Sequence, residues 1–260
     1  MCHLHTHSEY SALDGLATVQ EIIQRAKDLN HDSVAITDHG NMSMALEFYS
    51  KAKKAGISPI IGMEAYQVSF GQPMSIRDKN FYHLLLLAKN NTGYKNLSSI
   101  ATISQLEGYY YKPRIDYGVL EDHSEGLIVT TGCMAAEIPT LIREGNLSEA
   151  ETLFRWYQNV FKDDFYVELQ DHNIPELLDQ NKVLLEWAKK YGVSPIVTND
   201  SHYALKEHAS PHDIMLCIQT GSKVGDKDRM RFNNESYYMK ADEEMPYQEF
   251  LHNNKDVAKK

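Results

Sequence analysis

The chain has 260 residues, 42% hydrophobic and 24% charged, the balance of a folded globular protein and not of a disordered one. Thirty-six acidic residues against 26 basic ones leave a formal charge of -10, which disfavours a broad duplex-binding surface built on phosphate contacts. Bound divalent cations would reverse that sign locally, so a nucleic-acid end at a small site stays open. Apolar runs such as Leu84-Leu-Leu-Leu-Ala88 are too short to cross a bilayer, and the first residues lack a basic region followed by an apolar one. The expectation is a cytoplasmic protein with no membrane association. Cys2, Cys133 and Cys217 have neither the even count nor the spacing of a disulfide framework or a zinc finger.

In chain order, a short strand around Leu4 precedes Thr18 and Glu21, a capping-box pair that opens an amphipathic helix over 19–29. A strand at 33–37 and a helix at 42–55 follow, the helix stopped by Gly56. A third strand begins at 58–61 and resumes over 63–68. Next come a strand at 81–88, a helix around 94–106, a strand at 126–130 and helical segments at 135–142 and 147–160. Strands at 165–169 and 194–198 flank a helix at 174–190, and a last helix lies near 208–218. About seven β-branched-rich strands separated by helices are the pattern of parallel strands with helical crossovers, hence an α/β fold. A doubly wound sheet fits that rhythm. A closed barrel is favoured, because polar residues recur after many different strands and a barrel gathers its C-terminal strand ends around one mouth. No internal repeat or low-complexity linker is present. Residues 1–228 are assigned to the barrel and 229–260 to an appended strand and helix leading toward a domain that is absent.

The chemistry-bearing residues follow the strands. His3, His5 and His7 alternate at the N-terminus, with Asp14 a turn later, and imidazole with carboxylate suits borderline divalent metals. Thr37-Asp-His-Gly40 places His39 in a βα-loop, where a turn alone explains Asp38 and Gly40 but not the histidine. Glu64 sits in an otherwise apolar strand, costly unless paired or metal-bound. His83 enters an apolar strand, and Cys133 follows a glycine at a strand end; either alone reads as a core residue. Thr198-Asn-Asp-Ser-His-Tyr203 sets Asp200 and His202 two apart after a strand, mirroring His5 and His7.

Nine candidates (His5, His7, Asp14, His39, Glu64, His83, Cys133, Asp200 and His202) exceed the roughly four ligands of one zinc-like ion. Two or three divalent ions are implied, bridged by a carboxylate such as Glu64 or Asp200. Mixed N, O and S donors permit zinc, manganese or iron. Ions holding a hydroxide between them attack phosphorus, so phosphoester hydrolysis is the expected reaction class and no protein nucleophile is required. Tyr109-Tyr-Tyr-Lys-Pro-Arg-Ile-Asp116 has two readings: Lys112 and Arg114 bind a phosphate among base-stacking aromatics, or the tyrosines pack and the charges pair with Asp116. Asp171 and His172 follow another strand and are candidates for supporting or phosphate contacts, while Trp156 and Trp187 are assigned to packing.

His3-Leu-His-Thr-His-Ser-Glu-Tyr-Ser-Ala-Leu-Asp-Gly15, Ile36-Thr-Asp-His-Gly-Asn41, Pro59-Ile-Ile-Gly-Met-Glu-Ala-Tyr66 and Lys112-Pro-Arg-Ile-Asp116 together resemble the polymerase and histidinol phosphatase (PHP) domain. More narrowly they resemble the PHP domain at the N-terminus of bacterial replicative DNA polymerase III alpha subunits. Thr131-Gly-Cys-Met-Ala-Ala-Glu-Ile138 and the Asp200 motif extend the resemblance over nearly the whole chain. It implies a distorted (β/α)7 TIM-like barrel with a trinuclear centre. His5, His7, Glu64 and Asp200 resemble the ligands of a first ion. Glu64 then bridges to a second with His83 and Cys133, and Asp14, His39 and His202 resemble the ligands of a third. His3 stands where many relatives have aspartate, which implies a supporting role. Members with the full set resemble metal-dependent 3'-5' exonucleases acting on DNA 3' ends or single-stranded DNA. Members with degraded sets keep the domain for structure and for binding a proofreading subunit. No ligand position is vacated in this chain, which argues for activity. The implied partners are polymerase domains or other replisome subunits, with no polymerase activity in these 260 residues. The alternatives are a small-molecule phosphomonoesterase such as a histidinol phosphatase, and a catalytically silent structural and protein-binding module.

Overall fold

Helix and strand signals along the chain resolve into α1 (Val19–Asp28), β1 (Ser33–Ile36), α2 (Ala45–Ala55), β2 (Ser58–Gln67), β3 (Tyr82–Ala88) and α3 (Asn91–Leu106). These are followed by β4 (Tyr109–Tyr110), β5 (Lys112–Ile115), α4 (Tyr117–Asp122), β6 (Leu127–Thr130), α5 (Glu137–Arg143) and α6 (Leu147–Phe161). The last elements are β7 (Phe165–Leu169), α7 (Pro175–Tyr191), β8 (Pro195–Val197), α8 (Ala209–Thr220) and α9 (Leu251–Lys259). The computed structural model describes residues 1–232 and 234–260. Among the described residues, no helix is long and apolar enough to cross a membrane.

Local chemistry explains the elements. At α1 the Thr18 hydroxyl accepts from Glu21 N at 3.2 Å while the Glu21 carboxylate accepts from Thr18 N at 2.8 Å. Val19, Ile22, Ile23 and Ala26, spaced for one helical face, are the residues α1 buries. Gly56 and Gly192 end α2 and α7 in the left-handed conformation.

The strands curl into a mixed sheet of the distorted PHP barrel type. β1 runs parallel to the first half of β2, β6 is parallel to β7, and β7 to β8. β3 is antiparallel to both β2 and β6, against the all-parallel pattern expected from the alternation of elements. The β2–β3 connection carries no helix, so nothing carries the chain back for a parallel crossover. The N-terminal segment closes the ring through backbone bonds. Ala35 N donates to His3 O and Thr37 N to Thr6 O, both at 2.8 Å, and His7 N donates to Ser201 O at 2.7 Å. It makes single-residue pairings, not the regular strand expected around Leu4. β4 and β5 form a two-stranded hairpin turning at Tyr111, whose φ is 62°.

One inward layer takes a residue from each stave: Leu4, Ala35, Ile60, Leu85, Ile128, Tyr166 and Ile196. Leu84 and Leu86 face the other way, into the cluster under the helices, which explains why β3 is apolar throughout. Burying each such leucine contributes about 1.5–3 kcal/mol. Val257 of α9 joins the inner layer, and Asn254 locks it: its Oδ1 accepts from Val197 N at 3.0 Å, and its Nδ2 donates to Cys2 O at 3.0 Å and Val197 O at 2.6 Å. α9 therefore plugs the bottom of the barrel, leaving the opposite end as the mouth.

Candidate metal centre

Two residues beyond the apolar layer on β6, β7 and β8, and four beyond Ile60 on β2, the inward face turns polar with Thr130, Glu168, Thr198 and Glu64. His83 joins them from β3. In an all-parallel barrel a residue at the start of a strand would lie at the wrong end. Because β3 is reversed, its first residues meet the last residues of β2, with His83 opposite Tyr66.

Glu64, 1% exposed, is the hub. Its Oε1 lies 3.3 Å from His5 Nε2, 3.1 Å from His83 Nδ1 and 3.3 Å from Cys133 Sγ. Its Oε2 lies 3.2 Å from His7 Nε2 and 2.9 Å from His39 Nδ1. Asp200 Oδ1 is 3.3 Å from His5 Nε2 and 3.1 Å from His7 Nε2. Asp14 Oδ2 lies 3.3 Å from His39 Nε2 and 3.9 Å from His202 Nε2. Three groups of these side chains could each hold an ion: His5, His7, Glu64 and Asp200; His39, Glu64 and His83; and His7, His39 and His202. Cys133 lies beside the second group, 3.7 Å from His83 Nδ1, and Asp14 beside the third.

Backbone shape delivers several of these groups. Asp200 has φ of 43°, a left-handed conformation that aspartate tolerates better than most residues, and it follows β8 directly. Gly132 has φ of 77°, and a Cβ there would meet Ala136 Cβ at 2.6 Å, so only glycine can make the turn that presents Cys133. Asp14 is held from α8, its carbonyl accepting from His212 Nε2 at 2.8 Å.

Outer hydrogen bonds settle which histidine nitrogens are free. Ser11 Oγ donates its one proton to Asp38 Oδ1 at 2.7 Å, so His7 Nδ1, at 2.9 Å, must donate to Ser11. His202 Nδ1 donates to Asp200 O at 2.8 Å. Both rings therefore present a bare Nε2 to the cluster. His5 Nε2, His7 Nε2, His39 Nδ1, Glu64 Oε2, Asp14 Oδ1 and Asp200 Oδ1 are buried without a hydrogen-bond partner. Polar atoms that face one another at about 3 Å in a dry interior without bonding are costly, and a shared cation removes that cost. The residues present thus fit a divalent-metal centre.

The electrostatics agree. Burial opposes charge on His5, yet Asp200, Glu168 and Glu64 outweigh it and hold its pKa well above the ordinary value. His39 is raised to about 10, again against burial, by Asp14 and Glu64. Burial would push Glu64 up, but His83, His5 and His39 pull it well below the usual carboxylate range. Burial, then Glu64 and Asp200, push the Cys133 thiol well up. Protons are balancing a carboxylate-rich pocket, the task that bound cations perform in a loaded site.

Above the cluster opens a cavity of about 250 Å³, floored by Asp14, His39, His83, Cys133, Asp200 and His202. Its wall includes His172, Arg231, Phe232 and Tyr237, so the 229–260 segment contributes to the site itself. Tyr237 stacks on His172 with centroids 4.0 Å apart. A larger groove of about 660 Å³ between α2 and α3 contains no acid, histidine or cysteine and has no bearing on this chemistry.

Three expectations fail on placement. Arg114 is 1% exposed, and its guanidinium donates to the carbonyls of Gly108, Ile76, Asp78 and Met74 at 2.8–3.2 Å, so it clamps the 74–80 loop and cannot meet a phosphate. Asp116 pairs with neither cation: it accepts from Val119 N and Met74 N. The Lys112 ammonium lies 5.0 Å from the Tyr66 ring centroid and makes no ion pair among the described residues. His3 does not support the centre, because the chain bends at His5 and the two-residue alternation breaks. Its ring turns outward, Nε2 donating to Lys240 O at 3.0 Å.

Sequence reasoning passed over Asp38 and Glu168. Asp38 takes Ser8 N, Ser8 Oγ and Ser11 Oγ, all at 2.7 Å, and so anchors the loop that carries His7. Glu168 takes His5 Nδ1 at 2.7 Å. The signal for Glu168 was the one used for Glu64, a carboxylate inside an apolar strand.

The chain is 46% identical over 246 residues to the DNA polymerase III subunit alpha of Borreliella burgdorferi, and 43% identical over 249 residues to that of Thermus aquaticus. Each alignment covers 94% of this chain but only 21% and 20% of the relative, so the chain spans about a fifth of those proteins. A solved structure described as a putative metal-dependent phosphoesterase from Bifidobacterium adolescentis shares the fold, with TM-score 0.53 and 16% identity over 77% of this chain and 87% of its own. The PHP domain model matches residues 3–172, which carry seven of the nine clustered residues, and the chain belongs to the PHP domain family.

Proposed function

We propose that this chain is a metal-dependent phosphoesterase that cleaves the terminal phosphodiester of a DNA 3' end in the 3'-5' direction. The observation that carries the reading is the set of buried, unpartnered nitrogen and oxygen atoms converging on Glu64 and Asp200 beneath an open cavity. His5, His7, Glu64 and Asp200 would hold one ion, Glu64 with His83 and Cys133 a second, and Asp14, His39 and His202 a third. Bound zinc, manganese or iron would supply Lewis acidity toward phosphoryl oxygens and lower the pKa of water. The protein's own work is to keep the ring nitrogens bare, to exclude bulk water from the floor, and to steady the substrate against the His172–Tyr237 wall, with Lys112 a candidate phosphate contact.

Similarity to polymerase III alpha subunits supports DNA as substrate and, as partners, polymerase domains or other replisome subunits in the cytoplasm. We assign residues 1–228 to the catalytic barrel and 229–260 to its extension toward such a partner. A charge of -10 makes unaided binding to DNA weak, so tethering within a larger assembly would raise the local DNA concentration.

The test is a 3'-mismatched primer incubated with Mn²⁺ or Zn²⁺. The expected result is metal-dependent shortening that is lost in Asp200→Asn and His7→Ala. Turnover of a small phosphomonoester without shortening of the primer would instead make the chain a monoesterase. Metal binding with no hydrolysis of either substrate would leave a structural module.

A further inference from the structure

Glu168, next to last in β7, is 1% exposed. Four side-chain donors converge on its carboxylate. Oε1 receives His5 Nδ1 at 2.7 Å, Gln170 Nε2 at 2.9 Å and Thr198 Oγ1 at 2.5 Å, while Oε2 receives Thr130 Oγ1. The two hydroxyls have no freedom to do otherwise. Thr198 Oγ1 already accepts from Gln170 Nε2 at 3.1 Å, and Thr130 Oγ1 already accepts from Gly132 N at 3.0 Å, so each has its single proton left for Glu168. A carboxyl facing these donors has no acceptor for a proton of its own. Glu168 accepts from all four, and His5 points a protonated Nδ1 at it.

We propose that Glu168 is a positioning residue for His5. By holding Nδ1–H, it leaves the Nε2 lone pair free to ligate between Glu64 and Asp200 and strengthens that nitrogen as a donor. Its anchors come from β6 and from the residues just after β7 and β8, so the orientation of a ligand on the N-terminal segment is set by residues far along the chain. The same contacts seat Gly132, and with it the turn bearing Cys133. This inference rests on the metal-centre reading above, and its test separates the two.

The variants are Glu168→Gln, which keeps the shape and places an amide at the carboxylate, and Thr198→Val, which removes one donor at constant volume. The first measurement needs no metal: ¹⁵N-histidine NMR of the metal-free protein, at a pH high enough to make His5 neutral, should show the ring protonated on Nδ1 in the wild type and on Nε2, or exchanging, in Glu168→Gln. The second is Mn²⁺ affinity, expected to fall about 10–100-fold in Glu168→Gln and less in Thr198→Val, with the melting temperature of the metal-free protein held within a few degrees. A wild-type His5 protonated on Nε2 would overturn the proposal. So would equal Mn²⁺ affinity in both proteins, or a loss of stability with no change of tautomer. If the wild type binds no metal, the metal-centre reading fails, and the tautomer measurement still decides the role of Glu168.

Discussion

Arg114 and Lys112 stand two residues apart among tyrosines and have opposite fates. Sequence reasoning treats them as a pair of candidate phosphate contacts, but burial separates them: the arginine donates into four backbone carbonyls, and the lysine ammonium lies by the Tyr66 ring. Arg114→Lys should destabilise the fold by about 3 kcal/mol, since a single ammonium cannot reach carbonyls arranged for a planar fork. Lys112→Ala should change stability by no more than about 0.5 kcal/mol while weakening turnover of a phosphodiester. Denaturant titration of both variants checks this, and equal, small effects would return Arg114 to the surface. His3, His5 and His7 teach the same lesson, because one bend in the chain turns two of them inward and the third toward Lys240. Residue type and spacing name the nine side chains that the fold brings together, but also Arg114 and His3, which turn elsewhere, and they leave out Asp38 and Glu168.

The elements were legible where periodicity was strong. α1 is met within one residue of its expected end, and β7 over its full range, because a capping box and an apolar run are local signals. Strand direction is not local. Nothing in Tyr82–Ala88 distinguishes an antiparallel stave from a parallel one, yet that choice decides whether His83 lies at the mouth or the floor. A legible signal also went unused: in 128–130, 166–168 and 196–198 an apolar residue precedes a polar one by two, the two-residue repeat of a face that leaves the core and enters a site. α5 offers a test at this scale. Glu137 is 4% exposed and accepts from Phe70 N at 2.8 Å and from the Tyr117 hydroxyl. Burial raises its pKa above the ordinary value although both hydrogen bonds oppose the shift. A carboxyl whose folded pKa is raised contributes stability that is complete below the unfolded value and is lost as pH rises through the folded one. Wild type should therefore gain stability relative to Glu137→Gln as pH falls from neutral through that window. Parallel melting profiles for the two proteins would contradict this.

For the molecule as a whole, the carboxylates and imidazoles at the barrel mouth come from segments as distant as His5 and His202, so folding and loading of the site are coupled. Dialysis of the loaded protein against a chelator should lower its melting temperature. At metal concentrations 100 times the dissociation constant, each ion contributes about 2.7 kcal/mol, roughly 5–10 °C for a chain of this length. An unchanged melting curve would mean that the centre stays empty under those conditions. Loss of metal should leave the bottom of the barrel intact, because Asn254 and Val257 hold it from the other side.

By itself, the sequence determined the α/β class, the place of most helices and most of the chemically capable side chains, because these follow from short-range periodicity, capping and residue type. Only the tertiary structure decided which of those side chains share a site. Ring closure by the N-terminal segment, the reversal of β3 and the bend at His5 depend on contacts between residues far apart in the chain, and no local pattern encodes them.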